Sequence, residues 1–383
     1  MDYEIKPEEI LRYSRQLIIP EIGLQGQIKL KRSSLLIVGC GGLGSPIALY
    51  LASAGIGRIG LVDYDVVELS NLQRQPIYRN MDIGKSKVDI ARERLLSINP
   101  EIQVDAYNQL FTSQNAEIIA EPYDIIIDGT DNIPTRYLIN DLCVFSDKPY
   151  VYGAVYRFFG QLSVFHSSKG PCYRCLMPIP PSPESVPSCA VTGVVGFVPG
   201  IIGLLQTNEV IKIILGIGSS LIGKLLLVDA LENTFKAIEL NKDPNCHVCG
   251  SHPQVTKLID YEQFCQTSIR DRDLVFEEKY MVTPAELKAR IAQQQSVQII
   301  DLRDPVELQI IKIPEAENVP FHQLTNTMKK WDKEQQIILI CHVGFLSSIA
   351  QRIMTEAGFK DVKSLKGGLQ GWGRDLDPSS IIY

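Results

Sequence analysis

The sequence has no excess of positive charge. Its 38 Lys and Arg stand against 44 Asp and Glu, a formal net charge of −6. A nucleic-acid partner, which a basic patch would announce, is therefore not expected. A long hydrophobic run is also missing. The most apolar stretch, VTGVVGFVPGIIGLL at 191–205, has 15 residues and is broken by Pro199 and four glycines. A membrane span needs about 18 or more clean apolar residues, so a buried helix and its approach are expected there, and no membrane partner. The opening residues MDYEIKPEEI are acidic and polar, which predicts no secretory signal and a cytoplasmic protein. Internal repeats and low-complexity segments are absent too. With 45% apolar and 21% charged residues the composition is globular, which excludes wholesale disorder and fibrous repeats. The 383 residues suggest two or three domains.

Cysteine, by contrast, is plentiful. There are nine: Cys40, Cys143, Cys172, Cys175, Cys189, Cys246, Cys249, Cys265 and Cys341. In a cytosolic enzyme of this size they point to metal or catalysis rather than to disulfides.

Strands and helices alternate along the first part of the chain. A helical region at 8–32 precedes a buried strand at 34–39, a helix at 45–55 and a strand at 58–63. A helix at 85–98, strands at 102–107 and 123–128, and a helix at 135–147 follow, then strands near 150–156 and 160–166. Such alternation predicts a mostly parallel α/β sheet. Five prolines make 177–188 an irregular loop, and 224–230 with 234–240 reads as a strand pair. Residues 251–275 are polar and weakly periodic and read as a linker. A smaller α/β pattern then begins, with a helix at 283–294, strands at 297–302 and 336–341 and a helix at 347–357. The expected domains are 1–250 and 276–383.

VGCGGLG at 38–44 places Gly39, Gly41 and Gly44 in a G-x-G-x-x-G pattern between a strand and a helix. Glycines let the backbone approach phosphates, and the helix N-terminus adds amide donors and partial positive charge. Asp63 closes the next strand, where an acid binds a ribose hydroxyl. This pattern fits an adenine nucleotide without separating NAD from ATP. The set Arg74, Lys87 and Asp131, on strand-end loops, favours ATP with Mg2+: a triphosphate needs cations, and its magnesium needs carboxylates. An NAD-dependent oxidoreductase would need no such set.

Two C-x-x-C pairs, Cys172/Cys175 and Cys246/Cys249, predict tetrahedral Zn2+. Four sulfur ligands leave no open position, so the site is expected to be structural. A redox pair and free thiols are the rivals. His247 and His252 read as surface residues.

RYSRQ (12–16), VGCGGLGSP, SNLQRQ (70–75), DGTDN (128–132), GQLSVF (160–165), CYRCL (172–176) and CHVCG (246–250) together resemble the adenylyltransferases that activate ubiquitin-like sulfur carriers. These are the molybdopterin-synthase and thiazole-pathway enzymes, kin of ubiquitin-activating enzymes, and the resemblance covers about 8–250. It implies a Rossmann-like adenylating domain that joins the C-terminal carboxylate of a carrier ending in Gly-Gly to AMP. It also implies nucleotide contacts at Gly42, Asp63, Ser70, Asn71, Leu72, Gln73, Arg74 and Lys87, with Asp131 at the magnesium and Asn132 beside the nucleotide. Arg15 resembles an arginine that enters the partner subunit's site, which implies a homodimer. Cys189, after the proline-rich loop, matches a cysteine linked covalently with the activated carrier; a buried small residue is the bland alternative.

DLRDPVEL (301–308), Cys341 and KGGLQGWGRD (366–375) resemble a smaller α/β domain, the rhodanese domain, over about 276–378. The resemblance implies a persulfide on Cys341 that supplies sulfur to the adenylated carrier, giving a thiocarboxylate. Cys341 ends a strand and begins a loop before a helix, a setting whose amides favour a thiolate. Many active rhodanese loops carry an arginine where this chain has Leu346. The expected sulfur donor is therefore a protein such as a cysteine desulfurase, and the alternative is a degenerate domain that only docks a partner. Carriers of this kind serve molybdenum cofactor, thiamine, tRNA thiolation and sulfur-containing secondary metabolites, among which the sequence does not choose.

Overall fold

Strand β1, Ser34–Val38, is SLLIV, and its side chains leave toward both faces of a sheet. Leu35 and Ile37 pack in one core layer with Ile47, Leu51, Val88, Leu95, Ile202 and Val210. Leu36 and Val38 pack in the opposite layer with Tyr137, Leu138 and Leu142. A strand apolar on both sides belongs in the middle of a parallel sheet covered by helices.

The computed structural model describes residues 5–181, 193–265 and 278–376. The chain divides into two compact units, Met1–Asp271 and Arg272–Tyr383. In the first, β1 is joined by β2 (Arg58–Asp63), β3 (Gln103–Asn108), β4 (Ile125–Asp128), β5 (Tyr150–Tyr156), β6 (Phe159–Phe165), β7 (Lys224–Asp229) and β8 (Thr234–Glu239). Their order is β3-β2-β1-β4-β5-β6-β7-β8. Pairing is parallel from β3 to β5 and antiparallel from β5 to β8. The order reverses between β1 and β4, and such a switch point opens a crevice at the carboxyl ends of the strands. The helix Phe197–Leu215 is long and apolar enough to cross a membrane, but about half of it is buried in the fold. Its Ile202 and Val210 lie in the core against β1, so it is a core helix.

The second unit holds a five-stranded parallel sheet, built from β9 (Met281–Val282), β10 (Gln298–Asp301), β11 (Glu317–Asn318), β12 (Gln336–Ile340) and β13 (Asp361–Leu365). The order is β11-β10-β12-β13-β9, so its switch point lies between β10 and β12. Both units are α/β with mostly parallel sheets, as expected.

Two expectations need correction. The helical region 8–32 is three segments, Pro7–Arg12, Ser14–Leu17 and Gly23–Arg32. Pro20 cannot continue a helix, and Gly23 enters the next one at φ +54°. The span 251–275 is not all linker. Its residues Tyr261–Cys265 form a helix packed on the first unit, where Tyr261 is buried. Tyr261 OH donates to Asp141 Oδ2 at 2.8 Å, and Phe264 packs edge-on to Tyr137 at 5.3 Å.

Candidate active sites and metal centre

The glycine loop leaves β1 at the switch point. A Cβ on Gly39, which has φ +92°, would stand 2.7 Å from the Gly129 carbonyl, so the loops after β1 and β4 touch where glycine alone fits. The loop then opens the helix Gly44–Ala54. Asp63, at the end of β2, turns back onto it: Oδ2 accepts from Cys40 N at 2.8 Å and Oδ1 from Asp65 N at 2.9 Å. Burial raises the Asp63 pKa from its ordinary value, with Lys87 and the two amides pulling the other way.

Lys87 begins the helix Lys87–Ile98 and is buried. A cation there opposes the helix dipole and needs anions. It has Asp65, whose Oδ2 lies 2.9 Å from Nζ. Burial lowers its pKa, but Asp63, Asp65 and Asp131 more than offset this and the net shift is upward.

The segment 70–75 wraps the other side of the loop. Asn71 is buried, and its Oδ1 accepts from Glu68 N at 3.1 Å. Arg74 Nη1 donates to Ser70 O at 2.8 Å, and Arg74 O lies 3.6 Å from where a Cβ on Gly42 would stand. Leu72 is half-buried and Gln73 exposed, and the Gln73 backbone lies against Gly196. After β4, Asp131 is exposed, and Asn132 caps the helix Ile133–Phe145 by accepting from Thr135 N at 3.0 Å. The structure thus brings Gly39, Gly41, Gly42, Gly44, Asp63, 70–74, Lys87, Asp131 and Asn132 to one sheet end.

It does not bring Arg15 there. Arg15 is exposed on Ser14–Leu17, and its neighbour Gln16 bonds Ala54 O at 3.1 Å, at the far end of the helix Gly44–Ala54. That helix of 11 residues is about 16 Å long. Cys189 lies outside the described residues.

A buried polar cluster beneath the loop after β4 escaped the sequence reading. Asp128 accepts from Thr130 N, Thr130 Oγ1 and Tyr150 OH at 2.6–2.8 Å. Gln206 Nε2 holds the Asp128 carbonyl at 2.8 Å, and Arg136 Nη2 holds the Thr130 carbonyl at 3.2 Å. The first acid of DGTDN is therefore committed to the fold, while the second, Asp131, faces solvent.

Cys172, Cys175, Cys246 and Cys249 converge, all four sulfurs lying within 4.8 Å of one another. Three separations are 3.9, 3.6 and 3.5 Å. Ligand sulfurs at about 2.3 Å from a tetrahedral zinc stand about 3.8 Å apart, so the cluster fits that ion. A Cβ on Gly250 would press on Cys246 N and O and on Pro244 O, which explains the glycine closing CHVCG. Arg174, between the first two cysteines, forms a buried bidentate pair with Asp141 at 2.8 and 2.7 Å. His247 is exposed and bonded to Gln254 at 2.8 Å.

In the second unit Cys341 follows β12 at the switch point. Gly344 N and Ser347 N donate to its Sγ at 3.2 and 3.3 Å. The backbone is held from the opposite side, since Leu369 N donates to Cys341 O at 2.9 Å and Gln370 N to His342 O at 3.0 Å. Burial raises the thiol pKa above its ordinary value, and the Ser347 hydroxyl and the loop amides act against that. Leu346, half-buried in the first turn of the helix Phe345–Glu356, brings no charge. Asp301 and Arg303, at the end of β10, form a buried pair at 2.7 Å.

Residues 13–248 match the ThiF family. The chain belongs to that family. This ThiF-family protein also matches the rhodanese-like domain over residues 283–375. It is 45% identical to adenylyltransferase and sulfurtransferase MOCS3 of Drosophila yakuba, over 98% of this chain and 85% of that protein. Its identity to MOCS3 of Culex quinquefasciatus is 42%, over 99% and 91%. Among solved structures, E. coli MccB superposes with TM-score 0.58 at 25% identity, covering 66% of this chain and 75% of that one. MccB solved with ATP gives TM-score 0.56 at 26% identity, covering 62% and 74%.

Proposed function

We propose that this protein uses ATP to adenylate the C-terminal carboxylate of a ubiquitin-like sulfur carrier ending in Gly-Gly, then delivers sulfur from a Cys341 persulfide to give the carrier thiocarboxylate. One observation carries the reading: a glycine loop ringed by Asp63, Arg74, Lys87 and Asp131 and an amide-cradled cysteine stand in a single chain. Relatives along its whole length bear both activities in their names.

The glycine loop and the N-terminus of Gly44–Ala54 present amides to the phosphates. Asp63 takes the ribose hydroxyls, and Ser70, Asn71, Leu72, Gln73 and Asn132 frame the nucleotide. Lys87 exchanges its Asp65 partner for phosphate oxygens, joined by Arg74. Asp131 would hold magnesium, which when bound neutralises phosphate charge. The carrier carboxylate attacks the α-phosphorus and pyrophosphate leaves. Cations placed where the added negative charge develops supply the main stabilisation of such a transfer. Arg15, beside the far end of the helix Gly44–Ala54, about 16 Å from its loop end, would serve the partner subunit of a homodimer.

The Cys341 thiolate takes the outer sulfur of a protein persulfide, with a cysteine desulfurase as donor. The resulting persulfide attacks the acyl-adenylate carbonyl and AMP leaves; a second thiol then splits the sulfur–sulfur bond and frees the thiocarboxylate. Cys172, Cys175, Cys246 and Cys249 would hold structural zinc.

ATP–pyrophosphate exchange that depends on a Gly-Gly carrier, with an oxygen-to-sulfur mass gain on that carrier once a desulfurase and cysteine are added, is the expected result. Exchange indifferent to every Gly-Gly protein of the source organism would sink the reading. In the alternative, the second unit only docks a partner; thiocarboxylate formation undiminished in Cys341→Ala would favour it.

A further inference from the structure

Two serines stand side by side in the first turn of Phe345–Glu356, and they are used differently. Both hydroxyls reach the Gly344 carbonyl, Ser347 Oγ at 3.1 Å and Ser348 Oγ at 2.8 Å. Ser348 Oγ has its other bond with Ser364 Oγ at 3.1 Å. Ser347 Oγ lies instead 3.4 Å from Cys341 Sγ, the sulfur that Ser347 N also contacts at 3.3 Å. Ser347 is fully buried, and Cys341 is 2% exposed.

That burial poses a chemical problem. Cys341 must lose its proton before it attacks sulfur, and an apolar setting opposes the anion. The amides of Gly344 and Ser347 can donate to a thiolate but cannot accept from a thiol. A hydroxyl can do both.

We propose that Ser347 is a further catalytic residue of the sulfur-transfer site, its hydroxyl accepting the Cys341 S–H bond at rest and turning to donate to that sulfur once it is anionic. Turning gives up the Ser347 bond to Gly344 O, which Ser348 keeps. The step balances. The Cys341 thiol gives up its proton and its sulfur attacks the outer sulfur of a persulfide R–S–SH. The donor's sulfur–sulfur bond breaks, and R–S⁻ leaves and takes the released proton. Cys341 ends as a persulfide with no net oxidation. The inference rests on the sulfur-transfer reading above.

The largest influences on the Cys341 thiol are burial, the Ser347 hydroxyl and the loop amides, not a charged side chain. Asp301 and Arg303 pair with each other, Lys366 pairs with Glu278 and Arg374 with Asp375. Arg352 and Glu356 lie in later turns of the helix, Asp361 and Lys363 on β13, and His342 is in the loop itself.

The test is the pH profile of Cys341 alkylation by iodoacetamide in the full chain, read by peptide mass spectrometry. Ser347→Ala is expected to shift the profile up by about one pH unit, slowing alkylation about tenfold at neutral pH. Ser348→Ala, which loses a bond to the same carbonyl, leaves the profile in place, and Ser347→Thr restores it. An unshifted Ser347→Ala, or an equal shift in Ser348→Ala, overturns the proposal. If Ser347→Ala loses its melting transition, Ser347→Gly decides by the same criteria. Should Ser347→Ala show the shift while the wild type takes no sulfur from a desulfurase, the Ser347 assignment stands and the sulfur-transfer reading falls.

Discussion

The two candidate sites are built by opposite means. The glycine-loop site gathers side-chain charge, with Lys87, Arg74, Asp63, Asp65 and Asp131 around one crevice. The Cys341 site gathers backbone amides and one hydroxyl, and its Asp301–Arg303 pair is buried. Under the proposed function, a triphosphate carries several charges and is replaced every turnover, so its site needs cations that can change partners. A single sulfur anion stays on the chain, and fixed dipoles suffice for it.

The largest way to break this comparison is to remove one centre at a time. Cys341→Ala should abolish thiocarboxylate formation by mass spectrometry while pyrophosphate exchange stays within about twofold. Lys87→Ala should cut exchange by about 10²–10³ while Cys341 persulfidation persists, the loss expected when a charge-stabilising donor is deleted. Metal removal comes next. Cys246→Ser should lower the melting temperature of the first unit by about 10 °C in calorimetry, with metal content falling in parallel.

The two sites should also separate by pH. The Lys87 pKa is raised, so its charge persists through the neutral and mildly alkaline range and exchange stays flat there. Burial raises the Cys341 thiol above its ordinary value and it reacts as thiolate, so its alkylation should keep rising with pH into the alkaline range. A flat Cys341 profile from pH 7 to 9 would contradict this. The smallest effect is a sharpening one: Leu346→Arg adds a cation to a neutral loop and should raise thiosulfate-dependent persulfidation a few-fold.

Much of both sites was legible because their signals are local. The glycine loop, the paired cysteines and Cys341 announce themselves by spacing within a few residues and by the strands before them. What escaped joins distant residues. Arg174 and Asp141 are 33 positions apart, and Tyr261 and Asp141 are 120 apart. No periodicity links such partners, so 251–265 read as linker although Phe264 lies under the Arg174 guanidinium at 4.5 Å. Asp128 and Asp131 look alike in DGTDN, and the Tyr150 and Gln206 bonds that commit the first to the fold come from other elements. Ser347 was hidden for a related reason: which of two adjacent serines meets the sulfur depends on the helix turn.

The docked helix Tyr261–Cys265 dictates where the gene can be cut. A fragment ending at Gly250 would strip Phe264 from Arg174 and the Tyr261 hydroxyl from Asp141, wetting a buried ion pair at a cost of about 1–3 kcal/mol. A fragment ending after Cys265 keeps them. A flexible insert meant to separate the two units therefore belongs after Cys265.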